Sequence, residues 1–404
     1  DDRAAGLLAD AGKRLPFIDK VVFSREREGI PYWNKFLQGY YDFSGISSDS
    51  FDQAVRISVE GEAGVSPEMK SKGIKLEASV GTATRYFAFN WLDPVVGGGQ
   101  IDAAGRERAR KLRQAISIAL DWEEFISIFA NGRGIPGQGP IPPGIFGFRT
   151  GGDGINPIVY DWADAVPRRK SIEAAKKLLA EAGYPDGREA KSGQPLVLYL
   201  DTTDRGPGDK PRLDWYRKQF AKLDVQLEIR GTDYNRFQEK VRKGAAQIFV
   251  WGWNADYPDA ENFLFLFHGA QSRAKFQGEN AANYANPEYD RLFEQVKHME
   301  NGPARQALID RMLAILREDA PWSFGFHPKD YSLHHDWVAN LKPNNMARNG
   351  LKYQKIDAAR REDLRAEWNR PVLWPLGLLA VVLAVSAAPA VVGWRRREQS
   401  KGRA

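Results

Sequence analysis

The sequence predicts an α/β protein that carries one transmembrane helix near its C-terminal end. Between residues 195 and 253, short apolar runs alternate with amphipathic segments, which is typical of a mainly parallel sheet with helical crossovers. From 372 to 394 no side chain is charged, and at about 1.5 Å per residue this run spans roughly 34 Å, enough for a bilayer. With 404 residues, the chain has the length of two or three folded units.

The part of the chain before residue 195 predicts separate strands and helices rather than a regular alternation. Period-two apolar patterns predict strands, and apolar spacings of three and four predict helices. The predicted elements are a strand at 19–23, a short helix within 33–43, a strand at 84–91, a helix at 104–120 and a helix from Ser171 to Gly183. Residues 131–157 are rich in Gly and Pro and predict a long loop or a domain boundary.

The part after residue 195 contains the regular alternation. Strands are predicted at 195–200, 225–230 and 247–253, separated by helices at 211–222 and 233–243. Helices at 287–299 and 303–318, an extended segment at 322–335 and a charged helix at 355–370 follow. Ligands of such sheets bind beyond the carboxyl ends of the strands, so the residues after Trp253 are the first candidates for a site.

The uncharged run 372–394 has the flanks of a membrane-spanning helix. Trp374 and Trp394 lie about 30 Å apart on a helix, which matches the two interfacial aromatic belts. Arg395–Arg397 follow at once, and the positive-inside rule places them in the cytoplasm, with residues 1 to about 370 outside. The alternative is a buried helix of a soluble core, which the charge-free length and the flanks disfavour.

Charge and cysteine content exclude several function classes. The formal net charge is +6, but four of these charges belong to the tail after Trp394. The remaining body is nearly neutral, so we expect no nucleic-acid partner. The absence of cysteine excludes disulfides, thiolate metal sites and cysteine nucleophiles. The chain opens at Asp1 without a methionine, and we interpret this start as internal to a longer protein.

Two apparent motifs do not support a cofactor or a metal. Gly132, Gly134 and Gly137 satisfy G-x-G-x-x-G, but Pro136 lies inside the motif and no helix follows that would hold a pyrophosphate. Among the five histidines only His334 and His335 are adjacent, and neighbours in an extended chain point to opposite faces. We expect satisfied or exposed histidines, no cofactor, no metal site and no catalytic residue.

The segment from Trp251 to Phe263 combines aromatic rings with acids directly after a buried strand. We interpret Asp256 as a carboxylate that binds a ligand cation between aromatic walls. Asp259 and Glu261 are interpreted as acids that solvate the loop or cap the next helix. One rival hypothesis is an exported hydrolase, such as a glycosidase, whose two carboxyls face one cleft. Another is a membrane-bound ligand sensor.

Six segments that occur in a fixed order carry a resemblance to a known family. They are RYFAFNW before LRQAISIALDWEEFI, GPIPPG, AAKKLLAEAGYPDG, WGWNADYPDAENF, NYANPEYDRLFEQV and ILREDAPWSFGFHPKDYSL. Together they resemble the family 5 extracellular solute-binding proteins of ABC importers, which include dipeptide- and oligopeptide-binding proteins. The resemblance runs from about Phe17 to Lys355. It implies a bilobed, type II periplasmic-binding-protein fold that encloses its ligand, with the N-terminal part of the first lobe missing from this chain.

The resemblance also implies how the chain is divided. The lobe crossings would be TRYFAFNW and FGFHPKDY. The implied units are 1–88 for the remaining part of the first lobe, 89–325 for the second lobe, 326–360 for a return to the first lobe, 361–371 for a stalk, 372–394 for the membrane helix and 395–404 for a basic cytoplasmic tail.

The implied function is hinge closure on a peptide-like solute and delivery of that solute to ABC permease subunits, without covalent chemistry. In peptide-binding members an aspartate in the segment that matches N-A-D-Y holds the peptide ammonium group, and Asp256 occupies that position. The expected ligand-binding residues are Asp256, Trp253, Tyr257, Asn254, Trp251 and Asn90. We expect a monomer on the extracytoplasmic face of the membrane. Other family members bind nickel, sugars or opines, so the solute itself is left open.

Overall fold

The structure is a computed structural model of the whole chain. It describes all residues except 1, 5, 27–28, 58–62, 100–101, 205, 343, 345–348 and 402–404, so Arg403 of the basic tail lies outside the described residues. The helices are α1 Gly29–Leu37, α2 Phe51–Ala54, α3 Pro67–Ser71, α4 Ala103–Ala119, α5 Trp122–Ala130, α6 Ile172–Glu181, α7 Lys210–Ala221, α8 Tyr234–Arg242, α9 Glu261–Leu264, α10 Arg273–Phe276, α11 Pro287–Val296, α12 Pro303–Asp319, α13 Ala358–Trp368 and α14 Trp374–Lys401. The strands are β1 Phe43–Gly45, β2 Val55–Ile57, β3 Ala63–Val65, β4 Ile74–Val80, β5 Ala83–Phe89, β6 Gly134–Pro136, β7 Tyr160–Ala163, β8 Val166–Arg169, β9 Val197–Thr203, β10 Gln226–Thr232, β11 Ile248–Asn254, β12 Trp322–His335, β13 Val338–Ala339 and β14 Lys355–Ile356.

The main sheet has the strand order β1-β12-β5-β11-β9-β10, and β4 and β6 also pair with β12. The predicted alternation after residue 195 is confirmed, because β9 lies parallel to both β10 and β11. The helices α7 and α8 provide the two crossovers between these strands. β5 joins this parallel part antiparallel to β11, with Asn254 opposite Ala83.

β12 is a 14-residue strand that belongs to two parts of the sheet. Its first residues pair with β5, and a bulge between Phe324 and Phe326 shifts the register. Beyond the bulge, Lys329–His335 pair with β4, and the last residues also pair with β1. A bulge bends a strand and increases its twist, so β12 leaves one part of the sheet and enters the other.

Side chains that alternate along β5 reach two apolar cores on opposite faces of the sheet. Tyr86 and Ala88 belong to the core under α8, α11 and α12, while Phe87 and Phe89 belong to the core under α4 to α7. A third, smaller core contains α1, Met69 of α3, and Leu333 of β12. The predicted helices at 104–120, 287–299 and 303–318 correspond to α4, α11 and α12.

The predicted strand at 19–23 is wrong. These residues form neither a strand nor a helix, and the Val22 and Phe23 side chains are 70% and 83% exposed. The apolar run has the composition of a strand, but composition does not supply a pairing partner, and none pairs with it among the described residues.

The C-terminal end contains the predicted charged helix and the predicted apolar helix as α13 and α14. Within Trp374–Gln399, an 18-residue window has a mean hydropathy of 2.3, and none of this window is buried against the body. Its length and composition suffice to cross a bilayer.

Candidate functional site

The candidate site lies where the carboxyl end of β11 meets the beginning of β5 and the bulged part of β12. The antiparallel register places Trp253 and Asn254 opposite Thr84 and Ala83. Arg85, the next residue of β5, pairs with Phe326 of β12 just beyond the bulge. Three strands therefore bring polar and aromatic residues to one edge of the sheet, beyond the carboxyl ends of the parallel strands.

The two tryptophans of β11 are half-buried and have different neighbours. The Trp253 indole N–H donates a hydrogen bond to Asn262 Oδ1 at 3.1 Å, and its ring packs edge-on to Phe265 at 5.4 Å. The Trp251 ring packs edge-on to Phe237, and the Arg273 guanidinium lies over it at 5.2 Å from the ring centre. These contacts fix the rings as rigid walls of the edge.

Arg85 is a site residue that the sequence reasoning missed. Its Nη1 donates to Asn254 Oδ1 at 3.1 Å. Burial lowers the pKa of Arg85, and the negative charge of Asp330 acts in the opposite direction. Gly252 makes room for this contact, since a Cβ there would lie 2.7 Å from Arg85 Cδ and 2.9 Å from the Thr84 carbonyl oxygen. The sequence does contain a hint of this position, because Arg85 is the single charged residue of the mostly apolar segment RYFAFNW.

Asp256 and Tyr257 lie in the loop that follows β11, and both are exposed. The Asp256 backbone N–H donates to Asn262 Oδ1 at 2.8 Å, which fixes the loop beneath the carboxylate. The Tyr257 hydroxyl donates to Glu261, and burial together with this hydrogen bond raises the pKa of Tyr257 to about 12. The loop faces solvent at these two residues.

Asp259 is more than the helix cap that the sequence suggested. It accepts the Glu261 backbone N–H at 2.8 Å, as a cap does, but it also forms a bidentate pair with Arg305 at 2.8 and 2.6 Å. Arg305 is only 3% exposed. Burial alone would raise the pKa of Asp259, but the hydrogen bonds from Arg305 and Glu261 lower it below its ordinary value. The pair ties the site loop to α12.

Asn90 does not join this group of residues. It follows β5 at the end opposite to Ala83 and is 3% exposed. Its amide donates to the Gly244 and Ala246 carbonyl oxygens, both at 2.9 Å, and its oxygen accepts from Asn283 and from the Leu92 backbone. Both polar atoms of the side chain hold the buried chain together in this geometry, at a distance from the other five expected residues.

Two of the three carboxylates of the loop are bound by neighbouring side chains. Asp259 is bound to Arg305, and Glu261 accepts from Tyr257. A glycosidase needs two carboxyls that face a shared space. Within the described residues no group of three acids or histidines is placed to hold a metal ion. A cavity of about 540 Å³ lies between residues 2–17 and 340–354 and includes none of the six expected site residues.

Comparison with known proteins adds family relationships to this geometry. Heme-binding protein A of Haemophilus influenzae is 28% identical over 224 residues, which cover 54% of this chain and 37% of that protein. Di/tripeptide-binding protein 2 of Pseudomonas aeruginosa is 25% identical over 250 residues, with coverages of 61% and 43%. The chain therefore spans about two fifths of the length of these relatives, which are named as binding proteins rather than enzymes.

Solved structures of low sequence identity share the fold. A dipeptide-binding protein of Pseudoalteromonas sp. SM9913 in complex with Met-Leu aligns with a TM-score of 0.64 at 20% identity, over 86% of this chain and 60% of that one. A periplasmic binding protein of Helicobacter pylori in complex with the peptide STSA aligns with a TM-score of 0.62 at 19% identity, over 81% and 55%. The chain has the α/β fold of bilobed periplasmic binding proteins, as the resemblance implied.

The model of the family described as bacterial extracellular solute-binding proteins, family 5 Middle, matches residues 11–275. The match covers well over half of the chain and includes β5, β9, β10 and β11 together with the site loop. The chain therefore belongs to family 5 of the bacterial extracellular solute-binding proteins.

Proposed function

We propose that the chain is part of the substrate-binding component of an ABC importer and that it captures a peptide-like solute at the carboxyl edge of β11. A zwitterionic peptide offers an ammonium group and a carboxylate. The edge offers the Asp256 carboxylate and, through the contact with Asn254, the Arg85 guanidinium. The presence of an acid and a base at one edge of the sheet, beside aromatic walls, is the observation that carries the proposal. The names of several relatives and neighbours, which refer to di- or tripeptides, support it.

The capture step of this proposal is closure of two lobes around the solute. The lobes are proposed to comprise 1–88 with 326–360, and 89–325. β5 and β12 are the strands through which they would hinge, and the bulge of β12 supports this role because it locally weakens the ladder. Delivery to permease subunits follows, and the chain acts as a monomer without a nucleic-acid partner.

The location that we propose is the outer face of the cytoplasmic membrane. The apolar part of α14 is unburied and is followed within the same helix by Arg395–Arg397, and positive residues stay on the cytoplasmic side. Residues 361–371 would link the body to this helix. Anchoring keeps the binding site close to the permease, so that delivery does not require free diffusion.

Ligand titration of the full-length protein in detergent tests the proposal, because the capture step needs both lobes. We expect a hydrophobic dipeptide with a free N-terminus to bind, and its N-acetylated form to bind at least roughly 30-fold more weakly, since an ammonium–carboxylate contact is worth about 2–5 kcal/mol. Mass spectrometry of small molecules that copurify with the chain gives an independent identification. Equal binding of the acetylated dipeptide would remove the ammonium assignment, and binding of nickel, a sugar or an opine alone would replace the peptide.

A further inference from the structure

The charged helix α13 was expected to be a stalk, but it is docked on the body. The Trp368 ring lies 5.5 Å from the His335 ring and 5.7 Å from the Trp337 ring. At the other end of the helix, Arg360 forms a bidentate pair with Asp336 at 3.0 and 2.5 Å. Arg361 reaches Asp42 at 3.3 Å. Ion pairs at the N-terminal end and aromatic contacts at the C-terminal end therefore fix the helix in position.

This docking brings the loop 38–40 to the start of the apolar helix. The Asn369 amide donates to the Gln38 carbonyl oxygen at 3.0 Å. Asn369 is three residues from Val372, so the loop lies within about 15 Å of the first residue of the uncharged segment. Tyr40 is 50% exposed, and the Arg365 guanidinium lies over its ring at 4.8 Å.

The cations near the C-terminal end of α13 differ in their ion pairing from the cations at its N-terminal end. Among the described residues, Lys72, Arg365 and Arg370 form no ion pair with a carboxylate, whereas Arg360 and Arg361 both do. Lys72 lies over the Trp368 ring at 5.4 Å and donates to the Leu37 carbonyl oxygen. The exposed Glu367 is the acid that lies between Arg365 and Arg370 in the chain, so these residues leave a net positive charge of +2.

We propose that Gln38, Tyr40, Lys72, Arg365, Trp368 and Arg370 form a membrane-facing collar that binds the headgroups of anionic phospholipids. The inference rests on the membrane anchoring proposed above. Cations near a charged bilayer surface each contribute to attraction, and aromatic rings with a polar side favour the interface. Because α13 is docked, lipid binding by the collar orients the whole body relative to the membrane and not only the helix.

A site-specific probe is needed, because Arg395–Arg397 also attract anionic lipids on the other side of the bilayer. The chain has no cysteine, so the variant Gln38→Cys has a single thiol, at an exposed position. A thiol-reactive spin label therefore attaches only there. The labelled full chain is placed in nanodiscs of phosphatidylglycerol or of phosphatidylcholine. The measured quantity is the accessibility of the label to a water-soluble nickel chelate.

We expect the label to be several-fold better shielded in phosphatidylglycerol than in phosphatidylcholine, and the difference to shrink in high salt. Lys72→Gln with Arg370→Gln should abolish the difference. Lys177→Gln with Lys191→Gln removes the same charge from exposed positions elsewhere and should leave it intact. Equal shielding in both lipids, while the chain stays in the nanodisc, overturns the collar alone. Loss of the chain from the nanodisc overturns the anchor as well.

Discussion

Asp256 and Asp259 are three residues apart in one loop, yet their side chains have different surroundings. Asp256 is exposed beside the aromatic edge, while Asp259 holds the buried guanidinium of Arg305. Removing one partner of an ion pair is costly when the other partner is buried, because the remaining charge stays desolvated and loses its counter-ion. The same residue type is therefore proposed to serve ligand capture at one position and attaches the loop to α12 at the other.

This difference predicts different effects of two alanine substitutions. Asp256→Ala should weaken dipeptide binding by about 2–5 kcal/mol and should destabilise the body less than Asp259→Ala does, because Asp256 is exposed. Asp259→Ala should destabilise the body by about 3 kcal/mol, because Arg305 loses its partner, and this exceeds the roughly 1 kcal/mol of a lost cap. Urea unfolding and calorimetric titration measure the two quantities. Full binding by Asp256→Ala would contradict the assignment of Asp256.

Two buried histidines predict that acid destabilises the body. His327 and His335 are both fully buried, and burial lowers the pKa of each to about 4 against the weaker effect of a backbone hydrogen bond. The unfolded chain therefore binds more protons between about pH 6.5 and pH 4, and stability that is present above this window is lost as the pH falls through it. Each histidine should contribute about 2 kcal/mol of loss between about pH 7 and pH 5.

Unfolding in urea at several pH values checks this expectation. The variant His327→Gln removes one titrating group and should reduce the loss of stability between about pH 7 and pH 5 by about 2 kcal/mol, the contribution of one histidine. His298→Gln changes an exposed histidine and serves as the matched control. A pH dependence that is identical in both variants would show that the acid sensitivity arises elsewhere.

At the scale of elements, the sequence predicts those strands and helices whose bounds depend on the local residue pattern. The three strands and two helices after residue 195 lie within a few residues of their predicted bounds, because period and capping are encoded locally. The strand prediction at 19–23 failed for a different reason, because pairing depends on which distant segment lies alongside. The contacts of Asn90 with Ala246 and Asn283 likewise arise only in the folded chain. Arg305 reaches Asp259 in the same long-range way.

The docking of α13 predicts that a small residue is essential at position 39. Gly39 has a φ of +76°, and a Cβ there would lie 2.8 Å from Arg365 Cγ and 3.2 Å from the Trp337 ring. Gly39→Ala should displace the helix and accelerate amide hydrogen exchange in Ala358–Trp368. Gly132→Ala provides the control, because Gly132 has a similar φ of +74° but no atom within 4 Å of its Cβ. If both variants accelerated hydrogen exchange in Ala358–Trp368 equally, backbone strain and not contact with α13 would explain the effect of Gly39→Ala.

At the scale of the whole molecule, the proposed membrane anchor would determine on which side of the membrane the body lies. We expect protease added to intact spheroplasts to digest the body and to leave a fragment that contains residues 372–404. The same treatment after permeabilisation should also cut the basic tail at Arg395–Arg397. Immunoblots against tags at the two ends distinguish these products. Protection of the body in intact spheroplasts would reverse the orientation.

β12 has a further consequence, which concerns the order in which the chain folds. Its residue His334 pairs with Phe43, and Leu333 completes the small core around α1 and Met69. These partners are separated by most of the chain, so the ribosome must synthesise β12 before the N-terminal segment can close its core. Until then the segment lacks Leu333 and the strand that pairs with β1 and β4. We expect this incomplete segment to unfold more easily, which would favour its passage through a translocation pore that accepts only extended polypeptide.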